Sequence, residues 1–379
     1  MGNLIYFDNA ATTRMDKRVL EEMLPYMVDS FGNASSKYSI GYEARKAVST
    51  ARERVAALIG ANPDEIYFTS GATESNNIAL KGTEGALITS KTEHPSVLNT
   101  AFALKNAGRS VALIKPDKTG RIDAKSLEDI FAGTAAGRMS KGLVSIMMVN
   151  NELGTENPVS ELADIACSRG WLFHTDAVQA LGHVPIDVAG IKADIISASG
   201  HKLYGPKGTG FLYIKRGVRI PGLFNGGSQE RELRPGTENV AGIVGLGKAC
   251  DIARLEAAEI SRKEKEIGKY IKEQILSTIP DAVQNGSGER ILNFSFRGIN
   301  GTSLMLRLDM EGICVSTGSA CSIGKEEISH VLQSIELEKA LAEGSLRISI
   351  GKYNTLDEAS ILVDKIRSLT EELRSLMTV

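Results

Sequence analysis

The sequence predicts an α/β protein: a large domain on a mostly parallel sheet with helices on both faces, followed by a smaller α+β unit. Three observations point there. Short, nearly all-apolar runs alternate with helix-patterned segments over the first two thirds of the chain, and strands buried on both faces read as continuous apolar runs. A long, charged, amphipathic stretch from about Ala249 to Ile279 then breaks the alternation. Beyond it come ILNFSF, GTSLMLRLDMEG, ICVST and LRISIG, strand-like runs around one helix-like segment. In a chain of 379 residues, 42 % hydrophobic, there is apolar material for more than one core.

The elements follow in order. Residues 1–12 are expected to join residues 251–379 in the small domain, leaving 13–250 as the large one. A helix is expected from about Tyr42 to Ile59, because Ala44, Ala47, Val48, Ala51, Val55 and Leu58 recur at three- and four-residue steps and Gly60 stops them. IYFTSGATESNN (Ile66 to Asn77) reads as strand, glycine turn and helix start. Further strands are expected at GALITS, VALIKP, LVSIMMVN, WLFHTDA, DIISAS and GFLYIK. The charges after Ala249 read as a solvated helix face.

A net charge of −2 leaves no electrostatic footprint for nucleic acid or an anionic membrane. No apolar run of about 18 residues and no basic-then-apolar start is present, so neither a membrane span nor a secretion signal is expected. Four cysteines are too few for a disulfide framework, and Cys314 and Cys321 match no zinc spacing. Free thiols in a reducing cytoplasm, and no bound metal, are the expectation.

Some residues carry chemistry. Lys202, in SASGHKLYGPKGTG, lies just past a strand among glycines. Desolvation there would lower its pKa and make the amine nucleophilic, although most lysines in loops are solvated. FHTDAVQ ends a strand in Asp176, with Gln179 close behind. A lysine that forms a Schiff base and an acid that keeps a ring nitrogen protonated together suit pyridoxal phosphate. Gly71, Ala72 and Thr73 would offer backbone N–H groups to its phosphate at a helix start, though a ligand-free capping turn reads the same way. Cys321, in STGSACSIGK, stands among small residues that cannot pack a core, and reads as an exposed, available thiol.

Together these stretches resemble the cysteine desulfurases, class-V aminotransferases among the fold-type I pyridoxal phosphate enzymes. The resemblance rests on YFDNAATT, GNASS, FTSGATESNN, TEHPSV, VNNELGT, HTDAVQ, SGHKLYGPKG, GGSQERELRPGTEN, STGSACS and LRISIG, in that order. It implies a seven-stranded sheet and conversion of L-cysteine to L-alanine, with a persulfide on Cys321 passed to an iron–sulfur scaffold or another acceptor. It makes Lys202 the Schiff-base lysine, pairs Asp176 with the ring nitrogen, and stacks His94 on the ring as a proton shuttle. Ala72, Thr73, Ser199 and His201 would hold the phosphate, and Gln179 the ring hydroxyl. Asn151, the second asparagine of VNNE, would lie near that hydroxyl and the substrate carboxylate, which Arg347 would grip with two prongs. Thr237 would reach the phosphate bound by the partner subunit of a homodimer. Cys321 would draw its activation from a cationic pocket or from His94, and a passing contact with a partner's iron–sulfur cluster is known in some relatives.

Departures from the family pattern are Ala34 and Tyr38 in the GNPSSxHxxG stretch, Pro235 before Gly236 and Thr237, and SIGKEEISHVL after the thiol. A selenocysteine lyase, an aminotransferase and a sulfur-relay protein without catalysis stay open as alternatives at this stage.

Overall fold

The computed structural model describes residues 4–317 and 328–377; Cys321 lies outside them. Strand β1 (Ile5–Tyr6) pairs in parallel with β11 (Ile313–Cys314). The large sheet holds β2 (Ile66–Thr69), β3 (Ala86–Ser90), β4 (Val111–Ile114), β5 (Gly142–Ser145), β6 (Leu172–Asp176), β7 (Ile195–Ser199) and β8 (Gly210–Ile214). Their order is β2-β8-β7-β6-β5-β3-β4, and only β8 runs against the rest. A second, antiparallel sheet orders β12 (Ser345–Ser349), β10 (Ile291–Phe296) and β9 (Ala282–Asn285). The expected α/β class and the mostly parallel seven-stranded sheet are both present.

Each central strand is buried on both faces, which is why its sequence reads as a solid apolar run. Leu143 and Val144 of β5 enter separate hydrophobic clusters, as the two-residue period of a strand requires. The expected run LVSIMMVN is paired as a strand only to Ser145. Ile146 and Met148 still donate to the carbonyls of His174 and Asp176, so the chain stays extended to the site.

Helices α3 (Ala72–Gly82) and α4 (Pro95–Asn106) begin at the site, whereas α1 (Lys17–Val28) and α2 (Ser39–Ile59) lie against a longer helix. Helix α2 begins one turn before Tyr42 and ends at Gly60, whose φ of 68° is the left-handed stop expected of it. Val55 and Ile59 are fully buried, each worth roughly 1.5–3 kcal/mol of transfer free energy.

The long helix runs Val240–Thr278, starting well before Ala249. Its first turns, VAGIVGLG, look poor on propensity, since each interior glycine costs about 1 kcal/mol relative to alanine. Tertiary packing overrides that. A Cβ on Gly247 would stand 2.6 Å from Ala51 Cα, and one on Gly245 would stand 2.4 Å from Met23 Sδ. The glycines let α1 and α2 lie against the helix. Cys250 and Ala253 belong to the core under the large sheet, whereas Ile267, Ile271 and Ile275 join Ile5, Phe7, Phe294 and Leu346 in another.

Candidate active site

Strands β2, β3, β5, β6 and β7 point the same way, so their carboxyl ends share one edge of the sheet. In open α/β sheets ligands bind at that edge. A cavity of about 780 Å³ lies there, within the usual size of a small-molecule site. Its wall gathers Ala72, Thr73, His94, Asn151, Asp176, Gln179, Ser199, His201, Lys202 and Arg347, residues drawn from segments more than 270 positions apart. Thr237 is exposed and lies off this wall.

Lys202 ends the tight turn Gly200–Lys202 after β7. The turn is clamped from the N-terminal segment: Thr13 donates through both its N–H and its Oγ1 to the His201 carbonyl, and Tyr204 N–H donates to Thr13 Oγ1. The Lys202 ammonium donates to the Ala10 carbonyl at 2.6 Å and to that of Ala11. Burial, with Lys202 and Lys207 nearby, pulls the His201 imidazole down to about 4 and keeps it neutral.

Asp176 closes β6 and is 5 % exposed. Its Oδ2 accepts from Asn76 Nδ2 at 2.7 Å and its Oδ1 from the Val178 N–H at 3.0 Å. Gln179 donates from Nε2 to the Ala10 carbonyl at 3.0 Å, and Arg290 donates to its Oε1. Beneath the site His174, between the hydroxyls of Ser145 and Ser197, is held down near 3 by burial.

Helix α3 starts at Gly71, whose φ of 151° and ψ of 177° suit only glycine. Gly210 passes so close that a Cβ there would stand 2.4 Å from the Ala198 carbonyl and 2.7 Å from Gly71 Cα. The bareness of Gly210 admits the backbone of the turn. The first-turn N–H groups of α3, which have no intrahelical acceptor, meet the cavity at Ala72 and Thr73. Arg234 pairs with Glu74 at 3.0 Å beside them.

Arg347, at the centre of β12, is 3 % exposed. Its Nη2 meets Asp8 Oδ1 at 2.8 Å and its Nη1 the Asn151 carbonyl at 3.0 Å, while Nε has no partner among the described residues. Turn-making in VNNE falls to Asn150, whose Oδ1 accepts from the N–H groups of Glu152 and Leu153, which leaves Asn151 to the cavity.

Two acids that sequence reasoning passes over sit here. Glu152 lines the cavity, bonds Ser329 Oγ at 2.5 Å, and is raised to about 7 by burial. Glu93, beside His94, takes Ser90 Oγ and the Met147 N–H on Oε1, whereas its Oε2 has no partner among the described residues. Burial lifts its carboxyl from an ordinary 4.5 to about 8. Between those values the folded chain keeps a proton that the unfolded chain has released, so stability falls as pH rises through the window. Glu93→Gln, neutral at every pH, is expected to be the more stable protein above pH 8, by about 5 kcal/mol, with the gap closing toward pH 4. Urea midpoints at matched protein concentration check this; identical midpoints at about pH 9 would count against a neutral buried acid.

These features fit pyridoxal phosphate. An acceptor-only carboxylate stands where a ring N–H needs one, an amine shares the cavity, and a bare helix start offers an anion cradle that a side chain at position 71 would crowd. Among the described residues Cys167 is exposed, Cys250 buried and Cys314 half-buried, each a free thiol.

The aminotransferase class-V family model matches residues 5–362. A curated relative, the cysteine desulfurase IscS of Dictyoglomus turgidum, is 44 % identical over 99 % of this chain and 97 % of its own. Among solved structures, a NifS-like protein superposes with a TM-score of 0.89 at 36 % identity, covering 98 % of this chain and all of its own. SspA in complex with cysteine does so with a TM-score of 0.81 at 35 % identity, covering 93 % of this chain and all of its own. With the residues expected to hold pyridoxal phosphate gathered on one wall and likeness running nearly end to end, the chain belongs to the class-V aminotransferase family, among its cysteine desulfurases.

Proposed function

We infer that this cysteine desulfurase converts L-cysteine to L-alanine and leaves the sulfur as a persulfide on Cys321. The observation that supports it most is the convergence of Lys202, Asp176, the α3 start and the inward-facing Arg347 on one cavity. That a solved relative is described in complex with cysteine supports the substrate. When bound, pyridoxal phosphate supplies an aldehyde that an amine can capture and a protonated ring that accepts an electron pair.

The chain does the rest. Lys202 Nζ would hold the cofactor, and its amine would take the proton from the substrate Cα. Asp176, an acceptor only, keeps the ring N–H in place. Ala72, Thr73, Ser199 and His201 hold the phosphate, and Gln179 orients the ring hydroxyl. Arg347 takes the substrate carboxylate with Asn151 beside it, a role supported by an Nε that has no partner among the described residues. His94 flanks the ring. The Cys321 thiolate attacks the substrate Sγ: a sulfur–sulfur bond forms, the Cβ–Sγ bond breaks, and its electron pair stays on carbon, which takes a proton to become the alanine methyl.

The working unit we propose is a homodimer, with Thr237 serving the partner's phosphate. Its exposure away from this cavity supports that role, as do exposed Leu24, Met27, Phe31, Tyr38 and Tyr42 along the α1–α2 side. We also propose a large domain, 13–250, and a small domain, 1–12 and 251–379; what supports it is that the long helix packs into one core as far as Ala253 and into the other from Ile267. No helix among the described residues is long and apolar enough to cross a membrane. We place the protein in a reducing cytoplasm, delivering sulfur to an iron–sulfur scaffold or another thiol acceptor.

L-cysteine added to thiol-free holoenzyme tests the reading. Alanine should form, and peptide mass mapping should find one added sulfur on Cys321. A keto acid without alanine, or the sulfur on Cys167 instead, would overturn it.

A further inference from the structure

The site holds a chain of hydrogen bonds that runs from the carboxylate to the histidine. Asn76 Nδ2 donates one hydrogen to Asp176 Oδ2 at 2.7 Å and the other to Ser96 Oγ at 2.9 Å. Ser96 Oγ lies 2.8 Å from His94 Nδ1, and the Ser96 backbone N–H donates to the same nitrogen at 3.1 Å. Directions along this chain are forced. A backbone N–H can only donate, so Nδ1 must carry the lone pair. With Asn76 already donating to Ser96 Oγ, the serine hydroxyl is left to donate onward to Nδ1. The amide orientation is fixed as well, because turning it would bring Oδ1 against a carboxylate that only accepts.

We propose that Asn76 and Ser96 are positioning residues that wire Asp176 to His94 and hold the imidazole in its Nε2–H form, so that His94 presents a donor to the cavity and not a base. Two further observations support the wiring. Asn76 is fully buried and its Oδ1 has no partner among the described residues, so the amide is given over to its two Nδ2 contacts at a desolvation cost. His94 Nδ1 is also the N-cap acceptor of α4, so a proton on that atom would break a helix cap. Burial lowers the basicity of His94, and the charged or titratable groups around it are Asp176, Lys202 and His330, with Glu93 next in the chain.

The wiring rests on the reading of His94 and Asp176 as groups that face the cofactor, and its test is separable from that reading. In holoenzyme carrying nitrogen-15 histidine, proton–nitrogen spectra distinguish the two tautomers, and His94→Gln identifies the His94 signal among five histidines. The expected spectrum shows a pyridine-type Nδ1 and a protonated Nε2. Ser96→Ala and Asn76→Ala each remove support for the neutral form, so the His94 pKa should rise by about half to one unit, the equivalent of one ordinary hydrogen bond. Ser96→Thr, which keeps the hydroxyl, should restore it. A protonated Nδ1 in the parent, or an unmoved His94 titration in both alanine variants, would overturn the proposal. Normal turnover by His94→Gln, with the spectra as expected, would remove His94 from the reaction and still uphold the wiring.

Discussion

Lys202→Ala is expected to give a folded chain that holds pyridoxal phosphate without a covalent tie and turns over L-cysteine at least about 10³-fold more slowly than the parent. The fold should persist because the turn is held by groups the substitution leaves alone: the His201 carbonyl, Thr13 and the Tyr204 N–H. What disappears is the amine, together with its two donations to the Ala10 and Ala11 carbonyls. Both carbonyls line the cavity wall and can turn to water, so the stability loss stays small beside the kinetic one. Lys202→Arg separates charge from nucleophilicity. The guanidinium restores the positive charge and the donors but cannot be deprotonated to attack an aldehyde, so turnover should stay low. Borohydride treatment followed by peptide mapping should fix the cofactor to residue 202 in the parent and nowhere in either variant. Turnover within tenfold of the parent in Lys202→Ala would refute the assignment.

What could be read from the sequence follows from where the physics is local. A strand buried on both faces announces itself by composition, so all six runs expected between residues 85 and 215 appear as strands. Lys202, Asp176 and the Gly71 turn each follow a strand, and parallel pairing then carries those strand ends to one edge without further information. The site was therefore legible as an ordered set of segments.

Its supporting residues were not. Asn76 in SNN looks like any polar helix face, and its contact with Asp176 spans 100 residues. Glu93 reads as a surface acid until the chain beyond β5 meets it at Met147. Arg347 could be placed at a substrate carboxylate, yet its pairing with Asp8, 339 residues away, needed the two ends of the chain to be brought together. The start of the long helix failed for a different reason: propensity penalised the glycines that packing against α1 and α2 requires.

Glu230→Ala is expected to destabilise the protein by about 3–5 kcal/mol, the usual consequence of removing one member of a buried ion pair. Glu230, Arg231 and Glu232 have φ values of 45°, 55° and 67°, three successive left-handed residues without a glycine. Such backbone is unfavourable by about 1–2 kcal/mol per residue and persists only where its surroundings over-determine it. Here the Glu230 carboxylate, with its side chain 4 % exposed, takes Arg52 at 2.6 and 2.8 Å and the Phe68 N–H at 2.8 Å. Arg231 and Arg52 both donate to the Ile66 carbonyl, at 2.6 and 2.7 Å. The segment thus covers β2, an edge strand of the sheet that would otherwise present unpaired backbone. Without the carboxylate, Arg52 is left a half-buried cation over the Phe68 ring, the Phe68 N–H loses its acceptor, and the strain has nothing to hold it. The same segment leads into Arg234, which meets Glu74 at the start of α3, so cofactor affinity should fall together with stability. Replacing both partners, as Arg52→Met with Glu230→Met, removes the uncompensated charge and should recover a large part of the loss in urea denaturation. A Glu230→Ala loss below about 1 kcal/mol, or no recovery in the double variant, would show that the left-handed turn is held by something other than this pair.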